Sequence, residues 1–203
     1  MIAIIDYGMG NLGSVKRKFN LIGVDAVISS DPLDIVNADK LILPGVGHFK
    51  KAIENLKKLN LWDIINEVVL IKKKPVLGIC LGMQLMAKHS EEGDVKGLGW
   101  FDADVVKFQI KDKLKFKVPH IGWNHIRKMK ESKLMSELPD LSEFYFVHSY
   151  HFKCNNPLDI LNETEYESNF TSAIEKENIF GVQYHPEKSH DVGELLLKNF
   201  NKL

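Results

Sequence analysis

The sequence predicts an α/β protein: an open, mostly parallel sheet with flanking helices and an added antiparallel part, in one domain over residues 1–203. Two observations predict it. In the first half, short runs rich in Ile, Val and Leu alternate with amphipathic stretches, the order of β-α units whose sheet is covered on both faces. From Gly97 to Arg127 helical periodicity disappears, and β-branched and aromatic residues are broken by Gly and Pro, so strands there are expected to add antiparallel to one side.

The elements follow in order. Ile2–Asp6 reads as a strand and 12–22 as a helix; Ala26–Ile28 and about 32–37 repeat the pair, as do Lys40–Leu43 and 49–71, then Pro75–Ile79 and 82–89. Later come a strand at Phe144–His148 and a hairpin, Ala173–Glu175 with Ile179–Gln183, around a polar Lys-Glu-Asn turn. A helix over Val192 to Phe200 ends the chain. The Lys72-Lys73-Lys74 run reads as a solvated helix end.

Bulk properties narrow the function. Twenty-seven basic and 27 acidic residues cancel, so no global field draws the protein to nucleic acid or an anionic membrane, and small ligands or protein partners are favoured. The first residues form a strand rather than a signal peptide, and no run reaches the length of a membrane span, which leads to the expectation of a cytoplasmic protein. Cys80 and Cys154 lie far apart outside any C-x-x-C pair, so neither a disulfide framework nor a metal site is indicated.

Gly8-Met9-Gly10-Asn11-Leu12-Gly13 matches the G-x-G-x-x-G spelling of a dinucleotide-binding turn, with Asp31 near the distance of a ribose-binding acid. A lone match of this kind has a high false-positive rate, and Asn11 is equally well explained as a helix N-cap, so no cofactor is expected.

The sharpest signal is "PVLGICLGMQ". Gly78-Ile79-Cys80-Leu81-Gly82 has the G-x-nucleophile-x-G form of an elbow in which a strand turns abruptly into a helix and lifts one side chain out of the backbone. A cysteine at a helix start meets unpaired N–H groups and the positive dipole end, a setting that favours the thiolate. On these five residues alone, a buried inert cysteine explains the pattern as well. A base is available in "GVQYHPEKS": Pro186 biases His185 toward an extended conformation, and residues two apart on an extended chain point the same way, so Glu187 can stand behind the imidazole and fix its tautomer and charge. Both features fall at carboxyl ends of strands, where ligands of open α/β sheets collect. For an oxyanion hole, Leu81 can offer the N–H after the nucleophile, and Pro44-Gly45-Val46-Gly47 can offer a second.

Together, Pro44-Gly45-Val46-Gly47, the Cys80 elbow through Gln84, and Tyr184-His185-Pro186-Glu187-Lys188-Ser189 resemble a class I glutamine amidotransferase domain. "PHIGWN", "FVHSY" and "HPEKS" narrow the resemblance to glutaminase subunits of imidazole glycerol phosphate synthases, and it runs essentially end to end. It implies Cys80 as nucleophile, His185 as general base and acid, Glu187 as its orienting group, and Val46 and Leu81 as oxyanion donors. It further implies that Gly47, Gln84, Glu92, His148, Ser149 and Tyr150 hold glutamine. Asn11, Trp123, Asn124, Tyr145 and Lys188 would face a (β/α)₈ synthase subunit and the ammonia passage, although Trp123 and Tyr145 can equally be core aromatics. The implied assembly is a heterodimer making imidazole glycerol phosphate and aminoimidazole carboxamide ribotide.

One departure bears on the acceptor. After "GLG" the chain reads Trp100-Phe101-Asp102-Ala103-Asp104-Val105, where histidine-pathway subunits more often place an apolar residue and Pro-Gly before the valine. Paralogues that feed ammonia to a sugar-modifying synthase in surface-polysaccharide pathways share the rest of the pattern. A non-catalytic docking module would carry a broken triad, and a cysteine protease or redox protein with the same elbow would leave the pocket motifs unexplained.

Overall fold

The computed structural model describes residues 1–203. Its first half is built from β1 (Ile2–Ile5), α1 (Leu12–Leu21), β2 (Ala26–Ser29), α2 (Pro32–Asn37), β3 (Lys40–Leu43), α3 (Phe49–Lys58), α4 (Leu61–Asn66), β4 (Val76–Ile79) and α5 (Leu81–Gln84). The second half adds β5 (His89–Ser90), β6 (Val95–Lys96), β7 (Ala103–Lys107), β8 (His120–His125), β9 (Arg127–Lys128), β10 (Glu143–His148) and β11 (Tyr150–Cys154). It ends with β12 (Ile160–Tyr166), β13 (Ser168–Lys176), β14 (Ile179–Val182) and α6 (His190–Lys202).

The main sheet runs β2-β1-β3-β4-β14-β13-β11-β7-β5-β6. Its first five strands are parallel, and β13, β11 and β7 continue it antiparallel. Along β1 the side chains alternate between two cores: Ala3 and Ile5 join Ile35, Phe49 and Leu56 on one face, while Ile2 and Ile4 join Phe19, Leu196 and Phe200 on the other. This period of two, apolar on both faces, is why the parallel strands read as continuous apolar runs. No helix is long and apolar enough to cross a membrane.

Four expectations change. The stretch 49–71 is not one helix: Asn60, at φ +57°, ends α3 in the left-handed conformation in which Asn is the commonest stop after Gly, and a separate α4 and a π-helical turn (Glu67–Ile71) follow. The helix expected over 82–89 stops at Gln84, because backbone N–H groups of the 97–101 segment take the carbonyls that a longer helix would use. Leu98 donates to Leu85 at 2.7 Å, Trp100 to Met86 at 2.9 Å and Gly99 to Ala87 at 3.0 Å. The strands between 97 and 127 do not all join one sheet: β7 does, but β8 pairs with β10 in a separate antiparallel ribbon. Lys74 is not a solvated end, since its Nζ donates to the carbonyls of Val36 and Ala38, at 2.6 and 2.5 Å, at the end of α2.

Candidate active site

Cys80 follows β4 directly and holds φ +54°, ψ −111°, a strained conformation for a residue with a side chain. The flanking glycines make the turn sterically possible. A Cβ on Gly82 would lie 1.7 Å from the Leu43 carbonyl oxygen, and one on Gly78 would lie 2.6 Å from Met86 Cε. The Cys80 N–H donates to the carbonyl of Val182 on the neighbouring parallel strand at 2.8 Å, so the ends of β4 and β14 are locked side by side.

Beyond β14, His185 keeps the extended backbone its following proline imposes (φ −107°, ψ 92°), but Glu187 lies in a 3₁₀ turn, Pro186–Lys188, rather than on an extended strand. The turn, not strand alternation, brings Glu187 Oε1 to His185 Nδ1 at 2.7 Å. Both side chains are almost wholly buried. His185 Nε2 is buried with no hydrogen-bond partner, which leaves that nitrogen for proton exchange with Cys80. Burial opposes the imidazolium, but the charge on Cys80 and then the Glu187 carboxylate outweigh it, and His185 is pushed up from 6.5 to about 10.

A cavity of about 380 Å³ opens over Cys80. Val46, Gly47, Leu81, Gln84, Glu92, His148, Ser149 and Tyr150 all line it, together with Pro119 and Val147. Within it, several residues carry additional bonds. Glu92 Oε2 accepts the N–H of Phe49 at 2.7 Å and so caps the start of α3. His148 turns both ring nitrogens into the protein: Nδ1 donates to the Tyr150 carbonyl at 2.8 Å, and Nε2 faces His120 Nδ1 at 3.1 Å. His148 thus walls the cavity without a free polar atom, and burial holds it well below its ordinary value. The same cause lowers His120 to about 4. Of the two N–H groups expected to form an oxyanion hole, that of Leu81 donates to the carbonyl of Gly45 at 3.3 Å.

The remaining candidates divide. Trp123 and Tyr145 meet edge to face at 5.9 Å, Trp123 stacks on His190 at 4.9 Å, and the Lys188 ammonium lies 5.2 Å from the Tyr145 ring centroid. Trp123 is 42% exposed and Ile121, two residues away on the same face of β8, is 59% exposed, so Trp123 is a surface residue rather than a core aromatic. Asn124, one residue on, points to the opposite face of the ribbon, where its Nδ2 donates to the Glu165 carbonyl at 3.0 Å. Asn11 caps α1, accepting from Ser14 N–H at 3.4 Å. The Gly8–Gly13 turn packs on the Pro44–Gly47 loop: Tyr7 Oη donates to the Pro44 carbonyl at 2.6 Å, and a Cβ on Gly10 would lie 3.4 Å from Gly45 N.

Two residues missed in the sequence complete this picture. Tyr7 is fully buried beneath the loop, and Gln183 is fully buried beside the cysteine, its Nε2 3.6 Å from Cys80 Sγ. The signal for Gln183 was present, since it stands two residues before His185 at a strand end.

This elbow, buried His-carboxylate pair and cavity sit on the fold of the class I glutamine amidotransferases, and the chain belongs to that family: the model described as "Glutamine amidotransferase class-I" matches residues 3–203. Over the full length of both chains it is also 54% identical to imidazole glycerol phosphate synthase subunit HisH 2 of Methanococcus maripaludis (100% of this chain, 99% of the relative). It is 47% identical to the subunit HisH 2 of Pseudomonas aeruginosa, with 100% of each chain covered. Among solved structures, a glutamine amidotransferase superposes with a TM-score of 0.76 at 14% identity, covering 99% of this chain and 100% of that one. That likeness concerns the fold alone.

Proposed function

We propose that Cys80, His185 and Glu187 hydrolyse the side-chain amide of L-glutamine, and that the ammonia passes to a (β/α)₈ synthase docked over the site as the second member of a cytoplasmic heterodimer. The chain is the glutamine-hydrolysing subunit of an imidazole glycerol phosphate synthase in histidine biosynthesis, as its family and its full-length relatives support. The single observation that carries the catalytic reading is His185: one ring nitrogen bonded to a buried carboxylate at 2.7 Å, the other unpartnered beside the buried elbow cysteine under a cavity of about 380 Å³. A cavity of that size falls within the range of about 300–1,000 Å³ typical of small-ligand sites.

In the proposed reaction the Cys80 thiol gives its proton to His185 Nε2 and the thiolate attacks the carboxamide carbon. The tetrahedral oxyanion is met by backbone N–H groups of Leu81 and Val46. As it collapses, His185 returns the proton to the departing nitrogen and ammonia leaves, forming a γ-glutamyl thioester. His185 then takes a proton from water, whose hydroxide attacks the thioester; the C–S bond breaks, the departing Cys80 sulfur takes the proton back from His185, and glutamate leaves. Glu187 holds the Nδ1–H tautomer and stabilises the imidazolium throughout. Gln84, Glu92, Gly47, Ser149 and Tyr150 hold the substrate. His148 supports that wall.

Ammonia released into bulk water would be protonated and diluted, so the outlet must be covered. The face of exposed Ile121, Trp123 and Lys188 with half-buried Tyr145 is the surface we assign to the synthase. The experiment is to assay glutamate release by the purified chain with a histidine-pathway synthase and, separately, with a sugar-modifying synthase. Stimulation by the histidine-pathway subunit is expected, and stimulation by the sugar-modifying one alone would overturn the acceptor.

A further inference from the structure

We infer that Gln183 is a positioning residue for the nucleophile, its side-chain amide locked in the one orientation that donates an N–H to the Cys80 sulfur. The inference rests on the reading above in one respect, that Cys80 is the nucleophile.

The chain of bonds starts at a carbonyl. Gln84 Nε2 lies 2.9 Å from the backbone oxygen of Tyr150 and 3.0 Å from Gln183 Oε1, and Gln183 Nε2 lies 3.6 Å from Cys80 Sγ, within reach of the larger sulfur atom. A carbonyl oxygen only accepts, so the end of the Gln84 amide that faces Tyr150 is the NH₂ group. Its second N–H points at Gln183, which must therefore present its oxygen there and turn its own NH₂ toward the cysteine. Flipping the Gln183 amide alone would set two NH₂ groups against each other. Flipping both would set the Gln84 oxygen against the Tyr150 oxygen. Both side chains are buried, with Gln183 at 0% and Gln84 at 5% exposure, so water cannot relieve either clash.

The direction of this relay matters for the chemistry. A fixed N–H donor toward sulfur favours the charged form of the acceptor, whereas a carbonyl in that place would hold the neutral thiol by accepting its proton. Sulfur also receives a directional contact that selects one position for it, at the end of a strained turn. The same Tyr150 oxygen accepts from His148 Nδ1 at 2.8 Å, so one backbone atom sets the polarity of both polar walls of the site. Of the other groups at Cys80, His185 and Tyr7 act on it, Glu92, His148 and Tyr150 share its cavity, and the Val147 carbonyl oxygen lies 4.0 Å from Sγ; none of them takes the place of the Gln183 amide.

The experiment uses the full chain, in a Cys154→Ala background, and follows iodoacetamide alkylation of Cys80 against pH alongside glutamine turnover by the complex with its synthase. Gln183→Met keeps the volume and removes the donor. Gln183→Glu keeps the shape and replaces the donor with a carboxylate. Expected for Gln183→Met is a rise of about 1 pH unit in the alkylation midpoint and a roughly tenfold lower kcat with KM for glutamine little changed, from the loss of one hydrogen bond to a charged sulfur. Gln183→Glu is expected to raise the midpoint further. Wild-type midpoints in the variants that fold would overturn the inference, including when turnover falls, because a packing defect lowers activity without moving the titration. Should Gln183→Met fail to fold, the isosteric Gln183→Glu decides alone. The two readings fail separately: Cys80→Ser retaining glutamine turnover would sink the catalytic assignment, while a Cys80-dependent enzyme with unmoved midpoints would sink this inference only.

Discussion

The carbonyl oxygen of Gly45 accepts the backbone N–H of Leu81 at 3.3 Å, so the proposed oxyanion donor that follows Cys80 is occupied by the loop proposed to supply the second one. The Gly45 carbonyl and the Val46 N–H belong to a single planar peptide and point in opposite directions. One rotation of that peptide would therefore free Leu81 and turn Val46 inward together, and Gly45 and Gly47 on either side leave the backbone room to do it. A missing oxyanion donor is worth about 10²–10³ in rate. The isolated chain is accordingly expected to release glutamate slowly, and addition of the synthase with its ligand to raise the rate by at least that factor. Full activity without a partner would show that the hole is already formed.

Cys80 is expected to carry the covalent step alone. Cys80→Ser should abolish glutamine-dependent synthesis while synthesis from added ammonium salts continues, a comparison made on the assembled complex. The Cys154 thiol donates to the nearby Asn156 carbonyl, at 3.2 Å, and Cys154→Ala should keep wild-type turnover.

The His185–Glu187 pair makes a pH prediction. An imidazole raised from 6.5 to about 10 contributes stability that is complete below about pH 6.5 and is lost as pH climbs through about 10. Thermal unfolding of the wild type should show this contribution fading across that interval, and Glu187→Gln, which removes the carboxylate's share, should reduce it and leave the part that comes from Cys80. With the carboxylate in the orienting part proposed for it, Glu187→Gln should retain more glutaminase activity than His185→Ala. Equal and complete loss in both would assign the acid a direct part.

Trp123, stacked on His190 at 4.9 Å and 42% exposed, is the aromatic anchor of the face assigned to the synthase. Trp123→Ala should leave the fold intact and weaken association by about 2 kcal/mol, roughly 30-fold in Kd, as titration calorimetry would read. Undiminished affinity would move the interface elsewhere.

Much of this was legible in the residues. Alternating apolar runs announced the parallel sheet, because strands buried on both faces must be apolar throughout. The glycines around Cys80 announced the elbow, because Gly82 faces a carbonyl that any Cβ would strike. Pro186 forecast the extended backbone of His185, since a proline restricts its predecessor by local sterics. What stayed hidden depends on contacts between distant segments. The end of α5 was set by N–H groups 13 to 17 residues beyond Gln84, in the 97–101 segment. The ribbon of β8 and β10 formed because their registers met across 18 to 28 positions of chain, from His125↔Glu143 to His120↔His148. The occupied Leu81 donor and the orientation of the Gln183 amide belong to the same class. Local sterics act over a few covalent bonds and so are written in consecutive residues, whereas a hydrogen bond's partner is chosen by which buried donors and acceptors the folded chain brings together, and only the tertiary structure makes that choice.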